Sequence, residues 1–155
     1  DETEFLLKVE RAYADPESTY DPRWYKDRLC LPGRVPDYRV RTEEHSGYTI
    51  EYVNGAIVRQ YVDPQFVEGG HDLVYGYIPK NHIWLDAKHD PEELPFILRH
   101  EINEREYMRH GYAYDDAHDH AIAIEKKERR RAGGRYPCDA GYVPHPLHDF
   151  VVTAK

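Results

Sequence analysis

The chain lacks any apolar run approaching the roughly 20 residues that a bilayer-spanning helix requires, so no membrane partner is expected. Its 40% hydrophobic and 32% charged content matches a water-soluble globular protein. Cysteine is nearly absent. Cys30 and Cys138 are far apart and form no CxxC pair, which excludes a zinc ribbon and a thioredoxin-like motif. They either join the two ends of the domain or stay free, and so low a count favours a reducing, cytoplasmic compartment. Excess positive charge is missing too. A formal net charge of -8 repels a phosphate backbone over most of the surface, so nucleic acid is not expected as the main partner. The exception, Lys126, Lys127, Arg129, Arg130 and Arg131, reads as the last turns of a helix, where cations offset the macrodipole. No phosphate loop, dinucleotide fingerprint, Ser-His-Asp triad or Cys-His triad can be read. No charged-then-apolar leader opens the chain, and its start at Asp1 rather than methionine leaves room for a removed leader or tag.

What is present fits one domain over residues 1–155, long enough to bury a core without staples. Residues 1–37 read as an N-terminal helix, Glu2 to Ala14, followed from Tyr20 to Pro36 by an ordered loop with three prolines and a glycine. Residues 38–86 read as strands. Asn54-Gly55 between Tyr48–Val53 and Ala56–Val62 predicts a hairpin with a type I′ turn. Leu73 to Ile78 and His82 to Asp86 add two more runs around Pro79-Lys80-Asn81, giving a small antiparallel sheet of about four strands. Residues 91–131 switch to helical period, with Gly111 turning one helix into the next. The tail, residues 132–155, holds a short apolar run, Phe150-Val151-Val152, that could dock as an edge strand. The predicted class is α+β, a sheet followed by an antiparallel helical hairpin.

On a wheel of 100° per residue the first hairpin helix has the apolar stripe Leu94, Ile97, Leu98 and Met108, with Arg99, Asn103 and Glu106 opposite. Glu101 and Glu104 fall inside the stripe, and His100 lies at its edge one turn from Glu104. On the second helix His118 and Glu125 fall among Tyr114, Ala117, Ala121, Ile122 and Ile124. Buried ionisable groups must pair, bind a cation or face a solvated cleft, because each costs several kcal/mol if left alone. Counting about 1.5 Å per residue from the turn puts His118 level with Glu104, Glu125 lower, and His100 between them. His118 should therefore lie roughly 3 to 5 Å from Glu104 or Glu101, with His120 turned to solvent.

His100-Glu101-Ile102-Asn103-Glu104 resembles the active-site helix of the zincin metallopeptidases, His-Glu-x-x-His, with Glu104 in place of the second histidine. The resemblance implies a zincin-like minimal core and a Zn²⁺ site in which His100 and Glu104 are ligands and Glu101 is the general base. His118 would be the third ligand. A longer pattern, adding Met108, Gly111, Tyr114, Ala117-His118, Ala121 and Glu125, is similar to a signature of uncharacterised bacterial and phage proteins, which implies no activity.

The expectation is a small zinc-dependent hydrolase acting on a peptide or small amide. Two alternatives stay open. One is a structural or interaction module in which His118 bonds Glu101 or Glu104 as an ionic network. The other is a two-metal carboxylate site built on Glu101-x-x-Glu104 and Asp115-x-x-His118. His71, in Gly69-Gly70-His71-Asp72, reads as a solvated turn residue, and His145 and His148 read as surface groups of the tail.

Overall fold

The computed structural model describes residues 2–18 and 22–132. The elements in chain order are α1 (Glu2–Ala14), α2 (Pro22–Leu29), β1 (Arg39–His45), β2 (Tyr48–Val53), α3 (Gly55–Tyr61), β3 (Gly69–His71), β4 (His82–Asp86), α4 (Leu94–Arg109) and α5 (Tyr114–Arg131). The class is α+β as expected. The sheet, ordered β1-β2-β4-β3, is mixed rather than wholly antiparallel, because β2 and β4 run parallel. Cys138, His145, His148 and the apolar run at 150–152 lie outside the described residues.

Three expectations about local structure are corrected. Asn54-Gly55 does not turn a hairpin. Asn54 is the N-cap of α3, its backbone extended (φ -78°, ψ 99°) and its side chain accepting the Ile57 N–H at 3.4 Å. Asn-Gly serves a cap as readily as a turn, and Ala56–Val62, read as a strand, is helical over most of its length. Gly55 is required for space, since a Cβ there would fall 2.1 Å from Asp86 Oδ2. The actual hairpin joins β1 to β2 through Ser46 and Gly47, with φ of 53° and 83°, the positive pair that a type I′ turn demands. The loop expected over Tyr20–Pro36 contains α2, which begins at Pro22, where the missing N–H and fixed φ suit a first helical turn. Leu73–Ile78 is not a strand either. Tyr75 and Tyr77 pack with Phe66 around Trp84 on the face of the sheet away from α4.

Strand alternation places the layers. Tyr48, Ile50 and Tyr52 of β2 and Ile83 and Leu85 of β4 meet Leu94, Ile97, Leu98 and Ile102 of α4, while Val53 and Trp84 face Val58 of α3 and Phe66. A second helix, α5, covers another side of α4 through Ala117 and Ile124 against Tyr107. The side of α4 opposite the predicted stripe is therefore also buried. Ile102 and Asn103 have no exposed surface, and Arg105 and Glu106 hydrogen-bond to the Tyr48 hydroxyl of the sheet. A wheel shows one partner's stripe, and α4 has two partners. No described helix is long and apolar enough to cross a membrane.

The turn between α4 and α5 sets which faces oppose. Gly111 has φ 100°, its N–H bonds the Met108 carbonyl at 3.0 Å, and the Tyr112 N–H reaches back to the Tyr107 carbonyl at 3.1 Å. These two bonds are the Schellman pair, and the Tyr107 and Tyr112 rings supply its apolar contact with centroids 5.4 Å apart. A Cβ on Gly111 would meet nothing within 4 Å, so the cost of a side chain is conformational alone. Gly111→Ala is expected to lower stability by about 1 kcal/mol. Urea unfolding checks this, and a variant as stable as the wild type would show that the turn tolerates another backbone.

Candidate metal centre

Three segments of chain meet at one carboxylate. Helix α4 brings His100, Glu101 and Glu104, helix α5 brings His118 and Glu125, and β3 brings His71. Helical spacing stacks His100 beneath Glu104, and the Gly111 turn lays His118 across from it. His100 Nε2 lies 3.2 Å and His118 Nδ1 2.8 Å from Glu104 Oε2. His71 Nε2 lies 2.8 Å from the other oxygen, Oε1. Glu125 Oε1 sits 3.1 Å from His100 Nδ1, and Arg129 holds the far oxygen of Glu125 at 3.0 Å.

Two triads of ligand-type groups result, His100–Glu104–His118 and His71–Glu101–Glu104, each offering three donor atoms within 4.8 Å of one another, and either could hold a metal ion. An ion about 2.0 to 2.1 Å from each donor in a tetrahedron spaces those donors about 3.3 Å apart. The two spacings to Glu104 Oε2 in the first triad are near that value: 3.2 Å already matches, and 2.8 Å needs to open by a fraction of an ångström.

The electrostatics favour a cation. Glu101 is 9% exposed, and among the described residues it neither accepts a hydrogen bond nor joins an ion pair. Burial and the nearby Glu104 charge push its carboxyl well above the usual carboxylate range. Glu104 goes the other way. Burial would raise it, but hydrogen bonds from His100, His71 and His118 outweigh that and hold it low. Burial would likewise lower His100, yet the Glu104 and Glu125 carboxylates beside it raise it to about 10. A cavity of about 520 Å³ opens onto this cluster, and among the described residues its lining includes Glu68, Glu101, Glu104 and Glu125 but no lysine or arginine.

Comparison with protein-family models, curated proteins and solved structures finds no match. The resemblances to the zincin helix and to the longer bacterial and phage signature rest on their motifs alone, and the site is read from its own geometry.

That geometry brings together His100, Glu101, Glu104 and His118 as the sequence suggests, with Glu125 at the lower level. The distance expected between His118 and Glu104 is met. His120 departs from expectation: it is half-buried and stacks on Tyr107 with centroids 4.7 Å apart. Asp115 is exposed and belongs to neither triad, so the Asp115-x-x-His118 half of the two-metal alternative does not form. His71 is the residue that sequence reasoning missed. It has no exposed surface, whereas a solvated turn residue was expected. The available signal was the glycine pair before it: a Cβ on Gly69 would press on Leu85 at 2.9 Å, and one on Gly70 would strike the Tyr75 ring at 2.4 Å. Paired glycines mark a close backbone approach.

Proposed function

We propose that the chain is a zinc-dependent hydrolase that cleaves an amide bond in an extended peptide. One observation carries this reading: His100, Glu104 and His118 converge at the wall of an open cavity with an unpartnered carboxylate, Glu101, beside them. Zinc held by those three groups would supply a Lewis acid for the substrate carbonyl and would lower the pKa of water. Glu101 then has a defined task. Its carboxylate takes a proton from the attacking water and delivers it to the departing amide nitrogen, and burial raises its basicity toward that of a general base working near neutral pH. Edge strand β3 borders the cavity, with Val67, Glu68 and Gly69 in the lining, which supports docking of an extended chain by strand addition.

A second reading has its own support. Glu104 bonds directly to three histidines, which by itself makes a satisfied ionic network that fixes the hairpin on the sheet. It leaves Glu101 unexplained. Elemental analysis of protein purified without a metal-affinity tag separates the two. The hydrolase reading expects about one zinc per chain, removed by chelator and absent from His100→Ala. A metal-free preparation that gains no thermal stability on adding zinc would leave only the network.

A further inference from the structure

The Gly69-Gly70-His71-Asp72 segment lies outside the zincin-like helix, yet it reaches Glu104. His71 is fully buried, and its two ring nitrogens are committed to different partners. The Leu73 backbone N–H donates to Nδ1 at 3.2 Å, so Nδ1 is an acceptor and carries no proton. In a neutral imidazole the proton then resides on Nε2, which faces Glu104 Oε1 at 2.8 Å. A metal ion at Nε2 would have to displace that proton while unprotonated Nδ1 still accepted the hydrogen bond from the Leu73 N–H, which leaves the ring an imidazolate. The second triad is therefore poorly suited to an ion of its own, although its donor atoms are close enough.

We propose that His71 is a positioning residue for the metal centre: its Nε2–H occupies Glu104 Oε1 and leaves Oε2 to bind the ion through one oxygen. This rests on the hydrolase reading above. The two oxygens of Glu104 are already divided in this way, Oε1 to His71 and Oε2 to His100 and His118. A carboxylate free at both oxygens can close on an ion bidentately and fill the position that water needs. With Oε1 held, a fourth position on a bound ion would stay open.

The neighbouring residues repeat the connection. Asp72, next to His71, takes Arg105, next to Glu104, through two bonds, Nε to Oδ1 at 2.5 Å and Nη2 to Oδ2 at 3.1 Å. Arg105 also reaches Asn81 Oδ1 at 3.0 Å. The end of β3 and the residue after it are thus fastened to α4 in adjacent positions, and the side chain absent at Gly69, where a Cβ would fall 3.2 Å from Ile97, leaves room for α4. Ligand orientation by a partner group in the next layer is typically worth 10- to 100-fold in metal affinity.

The test uses the full chain, zinc titration by calorimetry and the visible spectrum of the Co²⁺-loaded protein. His71→Asn keeps an acceptor where Nδ1 lies but falls short of Glu104, whereas His71→Gln places its amide N–H where Nε2–H lies. We expect one ion per wild-type chain. His71→Asn should bind about 10- to 100-fold more weakly, with a less intense Co²⁺ spectrum as coordination number rises, and His71→Gln should regain most of both. Circular dichroism of the metal-free variants confirms the fold. If His71→Asn binds zinc as tightly as wild type with an unchanged spectrum, the positioning role is wrong and the hydrolase reading stands. Two ions in the wild type and one in His71→Asn would make His71 a ligand instead, which also overturns it. A wild type that binds neither ion defeats the hydrolase reading itself.

Discussion

Glu101→Gln is expected to keep the fold and the zinc while hydrolysis falls by about a hundredfold or more, the usual contribution of a positioned general base. The substitution is nearly isosteric, and Glu101 makes no hydrogen bond or ion pair among the described residues for it to break. The stability effect has a definite sign. The folded-state pKa of Glu101 is raised, so ionising it costs the fold stability as pH climbs above the unfolded value of 4.5. A neutral glutamine removes that cost, and at pH 8 the metal-free variant should melt no lower than the wild type. The measurements are cleavage of a mixed peptide library followed by mass spectrometry, zinc content, and a thermal melt. In the ionic-network reading, which leaves Glu101 outside the bonded cluster, any activity stays within a few-fold.

The second large effect is a pH-dependent gain from zinc. In metal-free protein His100 contributes stability as an imidazolium, because its folded pKa is raised from 6.5 to about 10. That contribution is complete below about pH 6.5 and is lost as pH rises through 10. Glu101 pulls in the same direction, while Glu104, held low, gives up its share only under acid. Zinc requires His100 without its proton, so binding competes with protonation and tightens up to about tenfold per pH unit for each proton released. Zinc at about a thousand times its dissociation constant adds about 4 kcal/mol, roughly 10 °C in Tm for a domain of this size. The gain should grow steadily from pH 6 to pH 9. Calorimetry in buffers of different ionisation enthalpy counts the protons directly, and a gain independent of pH with no proton release would remove His100 from the ligand set.

The hairpin and its polar lining were legible because each signal there is local. Apolar spacing of 3.6 residues, a glycine in the left-handed region and rise per residue are enough to bring His118 to Glu104. The strands were less legible. Asn54-Gly55 satisfies the chemistry of a helix cap and of a hairpin alike, and what decides between them is Asp86, 31 residues away, receiving the Gly55 N–H. Tyr75 and Tyr77 have strand-forming side chains but spend them on stacking around Trp84. His71 was illegible for a similar reason. Its burial depends on Gly69, which leaves room beside Ile97 of α4, and on an Asp72–Arg105 bridge spanning 33 residues, and no window of sequence contains both partners.

The burial of α4 on two sides divides the chain's tolerance of change. Its inner positions are committed to the sheet, to α5 or to the carboxylate cluster, so substitution there disturbs fold and site together. The cavity's rim is different: Val67, Val74 and Tyr114 stand more than a third exposed, on a loop, a turn and the first residue of α5. Drift at Val67 and Val74 can reshape what enters the cavity without touching the metal-ligand candidates, whereas Tyr114 stacks on His118 with centroids 5.4 Å apart and is tied to the site. Descendants of such a chain could diverge in the molecule they accept while inheriting the same interior.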